Sequence, residues 1–347
     1  MKKLFALLSL LPLVFSLGCS NAGSDERATS SSLQDSFDHL GPTMRSATLS
    51  TRRTVSYLDE GEEGWQPVVF VGGSGTSGRV FALLEFLRTT RENLQLRVIA
   101  VERNGFGVTG FDDALGYEDY AEDVEALLVT LGIEDFSLFA ISGGGPYSAV
   151  IASRNAERLM SVHMAAALTF YDNPSIPQCI LPQEAWRLFT EDPVAWFSFG
   201  PESPVHRIPG FQDAAFDDAA RTFNMGGQSG DTAALYHELQ LYCQNQFLPD
   251  LAAVTAPLYL YYGDMDDLAP PDPHAARWQQ AYTNAPVKFR LYPGEGHDVQ
   301  YRHLDQVLVD LAGMGDKLVI CDDNGSSALV DESAVAEGAF LGLCAWR

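Results

Sequence analysis

Nucleophilic chemistry has three side-chain types to draw on in this chain, each placed just after a strand-like run. Ser142 directly follows the run Phe136–Ile141 and precedes Gly143-Gly144-Gly145-Pro146. The spacing predicts a strand, a sharp turn carrying the Ser, and a helix from Gly144. A turn that tight needs small residues two places either side of the Ser, and Ala140 and Gly144 stand there. The helix N-terminus beneath Ser142 would offer N–H groups and a positive dipole end to a developing oxyanion. A phosphate-binding glycine loop is the competing reading, but no Lys follows these glycines and Gly143–Ser148 does not form a Gly-x-Gly-x-x-Gly. A Ser hydroxyl is a weak nucleophile at neutral pH and needs a base. His297 closes the segment Pro293-Gly294-Glu295-Gly296-His297 after the expected strand Val287–Tyr292. Between Ser and His, the run Leu258–Tyr262 ends in Gly263-Asp264-Met265-Asp266-Asp267, where any of three carboxylates is available. Of the other His, His39 precedes the fold, His163 reads as a core residue of a strand, and His206 and His237 lie in a helical insertion. His274 and His303 fall on predicted helices and are expected on the surface.

Residues at the ends of successive strand-like runs need a sheet to bring them together. Thr48–Thr51 and Thr54–Leu58 read as short strands flanking Arg52-Arg53, and Val68–Val71 as a strand ending in Gly72-Gly73-Ser74-Gly75. Residues 79–88 have helical spacing, and Arg97–Val101 is the next buried strand. Tyr117–Leu131 is an amphipathic helix with Tyr120, Val124, Leu127, Leu128 and Leu131 on one face. Gly144–Arg154 reads as a helix and Ser161–Ala167 as a strand. Continuous apolar strands separated by helices mean a parallel sheet covered on both faces. The expected fold class is therefore α/β, a doubly wound and mostly parallel sheet. The rhythm breaks over residues 170–250, which carry aromatic-rich helical pieces at Gln183–Thr190, Pro193–Phe199, Phe211–Asn224 and Asp231–Tyr242. It resumes with the strand Leu258–Tyr262, the helix His274–Tyr282, the strand Val287–Tyr292 and the helix Tyr301–Leu311. The expected organisation is a core of residues 37–169 and 251–312, an inserted α-helical cap at 170–250, and an extension at 313–347. In the extension, Leu318–Cys321 turns at Asn324-Gly325 into Ala328–Val330, a hairpin followed by a short helix.

The N-terminus reads as an address. Lys2 and Lys3 precede uncharged residues 4–18, a run short for a membrane span and right for a signal peptide over residues 1–18. It ends in Ser16-Leu17-Gly18-Cys19, which resembles a bacterial lipobox, implying lipidation at Cys19, export and a membrane anchor. Without lipidation the same segment implies secretion. Residues 19–36 read as a flexible tether. Export puts the remaining cysteines in an oxidising compartment, where an even number suggests disulfides. Proximity in sequence favours Cys179–Cys243 and Cys321–Cys344. No Cys-x-x-Cys or His-Glu-x-x-His occurs, so no metal is expected. The 46 Asp+Glu outnumber the 22 Lys+Arg for a net charge of −24, which argues against nucleic acid as a partner.

These features together resemble the α/β-hydrolase superfamily over most of residues 45–312, in its serine-nucleophile, capped, esterase-like branch. Ala140-Ile141-Ser142-Gly143-Gly144 resembles the nucleophile elbow Gly-x-Ser-x-Gly, with Ala for the first Gly. Val68–Gly78 resembles the family's strand and oxyanion loop, with Gly72 where His is usual. Glu102-Arg103-Asn104-Gly105-Phe106-Gly107 is similar to its Asp-Arg-Pro-Gly-aromatic-Gly turn, which buttresses the rim of the site. The resemblance implies a triad in the chain order Ser, acid, His. The family pattern Gly-x-x-Asp-x-x-x-Pro falls on Gly263–Pro270 and places the acid at Asp266, and the Gly-His pattern makes His297 the base. It implies an oxyanion hole from the backbone N–H groups of Ser74 and Gly143, and no cofactor.

The function expected from this is hydrolysis of a small-molecule carboxylic ester through an acyl-enzyme. The alternative is an amide or peptide substrate on the same triad, with cap acids such as Glu184 or Glu191 holding an amine. A non-catalytic surface binding protein is the third reading, and an ordered Ser, Asp and His argue against it.

Overall fold

The computed structural model describes residues 44–107, 109–170, 175–187, 232–244 and 249–347. The expected signal peptide, Cys19, the tether, and the helical pieces Pro193–Phe199 and Phe211–Asn224 lie outside the described residues.

The strands are β1 (Arg45–Thr48), β2 (Thr54–Glu60), β3 (Gln66–Val71), β4 (Leu96–Val101), β5 (Phe136–Ile141), β6 (Leu159–Ala165), β7 (Leu258–Gly263), β8 (Val287–Tyr292), β9 (Lys317–Cys321), β10 (Ser327–Asp331) and β11 (Phe340–Leu341). A 3-10 run at Gly78–Leu87 leads into α1 (Arg88–Asn93). The other helices are α2 (Tyr117–Thr130), α3 (Gly144–Arg154), α4 (Pro177–Ile180), α5 (Ala233–Gln244), α6 (Pro271–Ala281), α7 (Val299–Arg302) and α8 (Leu304–Leu311).

One eight-stranded sheet runs in the order β1-β2-β4-β3-β5-β6-β7-β8. From β4 to β8 every pairing is parallel; β1 and β2 form an antiparallel edge. The two-residue period of the strands decides which layer each side chain joins. Val69, Val71, Leu138, Ala140, Val162, Met164, Leu258 and Leu260 pack with α2, α3 and α6 on one face. Their neighbours Val68, Phe70, Phe139, Ile141, Ala165 and Tyr261 pack with the 3-10 run and α8 on the other. Both faces are therefore buried, which is why these strands are mostly apolar on both sides. Each such Val, Leu, Ile or Phe contributes about 1.5–3 kcal/mol by burial.

Several boundaries differ from the sequence expectation. β1 ends at Thr48, and residues 49–53 form the turn, with Arg52 at φ 67°. The helical spacing of residues 79–88 is realised as a 3-10 run over Gly78–Leu87, with α1 starting at Arg88, and the helix expected over Tyr301–Leu311 is broken at His303 into α7 and α8. The C-terminal hairpin forms as expected, with Asp322 and Gly325 closing its turn, but β11 adds a third strand beside β9. In place of the short helix there are 3-10 turns, Glu332–Ala334 before β11 and Cys344–Trp346 after it. Cys179 is bridged to Cys243 and Cys321 to Cys344, with Cα atoms 5.7 Å and 4.7 Å apart. The first bridge joins α4 to α5; the second ties the C-terminus to β9.

Candidate active site

The carboxyl ends of β3, β5, β7 and β8 converge on one spot. At the end of β5, Ser142 takes φ 48°, in the left-handed region that costs an L-residue of order 1–3 kcal/mol. The neighbouring backbone over-determines it. Its N–H donates to the Ala165 carbonyl at 3.1 Å, and its own carbonyl accepts from Gly145 (3.2 Å) and Leu168 (2.9 Å). The turn requires Gly144: a Cβ there would collide with the Val71 and Gly72 carbonyls of the adjoining strand end.

Ser142 Oγ lies 3.0 Å from His297 Nε2, and His297 Nδ1 lies 2.9 Å from Asp266 Oδ2. The other carboxylate oxygen of Asp266 accepts the N–H groups of Leu268 (2.9 Å) and Ala269 (2.8 Å). Burial alone would raise the Asp266 carboxyl. The hydrogen bond and charge of His297 and the two amides outweigh it and hold the group below the ordinary carboxylate range. An ionised carboxylate only accepts, so His297 Nδ1 carries the proton and Nε2 presents a lone pair to the Ser142 hydroxyl.

The three Asp of the acid loop separate clearly. Asp266 is buried, whereas Asp264 and Asp267 are exposed. Asp264 accepts the Gly294 N–H at 2.6 Å, and Met265 N–H donates to the Glu295 carbonyl at 2.9 Å. Those two bonds stitch the acid loop to the loop carrying His297. That loop is fixed further by Glu295, whose carboxylate meets His303 Nε2 at 2.9 Å and Arg302 at 3.3 Å.

Two His readings are corrected. His274 and His303 are buried, not on the surface. His274 Nδ1 accepts from the Thr169 N–H at 2.9 Å, and burial pushes its pKa down to about 4, so it is neutral at pH 7. His303 stacks on Tyr292 with ring centroids 3.5 Å apart. His163 is the satisfied core residue expected, between Ser161 and Tyr261.

Ser74 and Gly143 are neighbours across the end of β3. A Cβ on Gly143 would strike Ser74 Oγ and come within 2.8 Å of the Ser74 nitrogen. Among the described residues neither N–H group donates a hydrogen bond. The loop that carries Ser74 is held from beneath by the turn after β4. Arg103 donates to the carbonyls of Gly72 (2.6 Å), Gly73 (2.6 Å) and Thr76 (3.1 Å). Glu102 accepts the Gly78 N–H at 2.9 Å and the Ser77 hydroxyl. The turn is thus a buttress, as its sequence implies. Two further residues in contact with the loop, Glu238 and Tyr242 on α5, belong to no motif that marks them in the sequence.

The alpha/beta hydrolase family matches residues 68–317, and the chain belongs to that family. A non-heme haloperoxidase from Rhodococcus erythropolis is 27% identical over 223 residues, which are 62% of this chain and 80% of that protein. Among solved structures, the enol-lactonase of Burkholderia xenovorans LB400 superposes with a TM-score of 0.59 at 16% identity, covering 78% of this chain and 99% of that one. A thermophilic esterase from Thermogutta terrifontis gives a TM-score of 0.51 at 19% identity, covering 78% of this chain and 97% of that one. At these identities the structural likeness establishes the fold.

Proposed function

We propose that the protein is a serine hydrolase that cleaves a small-molecule carboxylic ester through an acyl-enzyme. The observation that carries this reading is the continuous line from Ser142 Oγ through His297 to Asp266, with contacts of 3.0 and 2.9 Å and a basic Nε2 facing the hydroxyl. His297 takes the Ser142 proton as Oγ attacks the ester carbonyl. Asp266 keeps the imidazole in the right tautomer and stabilises its cation. The N–H groups of Ser74 and Gly143 bind the oxyanion. His297 then returns the proton to the leaving alkoxide, and water attacks the acyl-Ser142 by the same route in reverse.

The ester reading is preferred to the amide one because it asks for no group beyond the triad and the oxyanion donors. The amide reading adds a cap acid, such as Glu184 or Glu191, to hold a substrate amine. Glu184 is exposed to solvent; Glu191 lies outside the described residues. The test is a panel of p-nitrophenyl esters of increasing acyl length beside aminoacyl anilides, with Ser142→Ala as the blank. Turnover of esters by the wild type alone supports the proposal; turnover confined to anilides replaces it with the amide reading.

Residues 170–250 are proposed as the cap, in line with their position between β6 and β7 and with α5 lying against the Ser74 loop. We also propose export with lipidation at Cys19. The two disulfides suit an oxidising compartment. Cys19→Ser should leave an unprocessed precursor or release the protein from the membrane fraction. A wild-type protein recovered soluble, without a lipid mass increment, would leave plain secretion.

A further inference from the structure

The two N–H groups facing the proposed oxyanion are aimed indirectly. A trans peptide is planar, so fixing its carbonyl fixes the direction of its N–H. The Gly73 carbonyl shares a plane with the Ser74 N–H and accepts from Arg103 (2.6 Å) and the Thr76 hydroxyl (2.7 Å). The Ser142 carbonyl shares a plane with the Gly143 N–H and accepts from Gly145 and Leu168. Both planes are thus held on their carbonyl side. The guanidinium charge at the Gly73 carbonyl also polarises that peptide and strengthens its N–H as a donor.

The next bonds outward come from α5, far away in the chain. Glu238 and Tyr242 stand one turn apart, on its buried face. Glu238 Oε2 accepts the Gly75 N–H at 2.7 Å, and Oε1 lies 2.9 Å from Arg103 Nε. Glu238 therefore holds the residue after Ser74 and neutralises the buried cation that holds the residue before it. Tyr242 Oη donates to the Gly143 carbonyl at 2.7 Å and accepts from Ser74 Oγ at 3.3 Å. One hydroxyl thus ties together the two residues whose N–H groups face the oxyanion. A phenol has a single proton, and here it is committed to Gly143, so Tyr242 positions the hole without donating to it. The adjoining residue, Cys243, is bridged to Cys179 in α4.

We infer that α5, through Glu238 and Tyr242, is the positioning element of the oxyanion hole, and that the Cys179–Cys243 bridge anchors it. The inference rests on the proposed ester hydrolysis at Ser142 and adds to it a dependence of kcat on a helix that bears none of the reacting groups.

Tyr242→Phe is the cleanest test. The ring stays packed against Tyr117 and Tyr147 and only the hydroxyl is lost. Removing an oxyanion donor outright costs about 10²–10³ in kcat; loosening the pair that supplies both donors should cost about tenfold. The expected result on a p-nitrophenyl ester is kcat down about tenfold with KM within twofold. A trifluoromethyl ketone, which forms an oxyanion on attack by Ser142, should bind about tenfold more weakly, while the product carboxylate binds as before. Glu238→Gln keeps an acceptor for Gly75 but leaves Arg103 uncompensated; it should lower kcat and ketone affinity in the same proportion. A folded Tyr242→Phe with kcat and ketone affinity within twofold of wild type overturns the inference, as does a rise in KM at unchanged kcat. A wild type that neither hydrolyses esters nor is labelled at Ser142 by a fluorophosphonate overturns the functional reading, and this inference with it.

Discussion

Replacing Asp266 by Asn removes one negative charge and no volume, and the surrounding bonds dictate the result. The Oδ1 site accepts two backbone N–H groups, at 2.9 and 2.8 Å. After the substitution only the side-chain carbonyl oxygen can satisfy them, so the amide NH₂ must face His297 Nδ1. Nδ1 would then become the acceptor, and the ring proton would move to Nε2, pointing at Ser142 Oγ. His297 in that tautomer cannot take the Ser142 proton. A triad Asp-to-Asn change that leaves geometry intact costs about 10⁴ in kcat, or roughly 5.5 kcal/mol of transition-state stabilisation. The neighbouring acids make internal controls. Asp264 accepts a single N–H, from Gly294, which the carbonyl of an Asn can also do, and it is exposed; Asp267 is likewise exposed. Asp264→Asn and Asp267→Asn should stay within about threefold of wild type. The assay is steady-state hydrolysis of a p-nitrophenyl ester by all three purified variants, with thermal melts to show each is folded. A folded Asp266→Asn within tenfold of wild type, or an Asp264→Asn as severe as Asp266→Asn is expected to be, would refute the argument.

Gly143→Ala should lower kcat by at least about 10²-fold, because its Cβ must displace Ser74 from beside the site; KM and kcat on the same ester check it, and near-wild-type turnover would contradict it. Asp305 is buried, and burial raises its pKa to about 6. Between roughly pH 4 and 6 the folded protein keeps a proton that the unfolded chain has lost, so Asp305 lowers stability as pH rises through that window, by roughly 3 kcal/mol in all. Asp305→Asn should therefore melt higher than wild type at pH 7 with the gap closing toward pH 4; a gap independent of pH would overturn the assignment. The Cys179–Cys243 bridge closes a separation of 64 residues and Cys321–Cys344 one of 23. Loop entropy puts their removal at up to roughly 4 and 3 kcal/mol respectively, and guanidinium unfolding of the two double-Ala variants should show that order; the reverse order would show that native contacts outweigh loop length.

The parts of the site legible in the sequence are those where the backbone punctuates the chain. Ser142 stands out because an apolar strand runs into glycines, and His297 because a Gly precedes it at a strand end. Asp266 needs more: of three carboxylates within four residues only the family spacing Gly-x-x-Asp-x-x-x-Pro marks it, and burial separates them once β7 and β8 are side by side. His274 departs from its expected surface position although the sequence carries a signal. His274, Trp278 and Tyr282 recur at four-residue spacing, and all three are buried where α6 meets the sheet. His303 closes α7 and packs beneath Tyr292, a contact across the sheet edge that local periodicity does not carry. Glu238 and Tyr242 are invisible in the sequence for a different reason. They sit in a helix 96 and 100 residues beyond Ser142 by numbering, and nothing local distinguishes them from an ordinary amphipathic face. Among their partners are backbone groups of Gly75 and Gly143, which any residue type offers. Such contacts exist only after the parallel strands have brought distant turns together.

The central claim is that Ser142 is the acylated nucleophile, and intact-protein mass spectrometry after a fluorophosphonate probe tests it most directly. The wild type should gain one phosphonyl adduct, mapped to Ser142 by peptide sequencing, and lose ester hydrolysis in step with labelling. Ser142→Ala should take up no probe, and its kcat should fall by about 10⁴–10⁶. An adduct on any other residue, equal labelling of Ser142→Ala, or full labelling of Ser142 with ester hydrolysis undiminished would contradict the account.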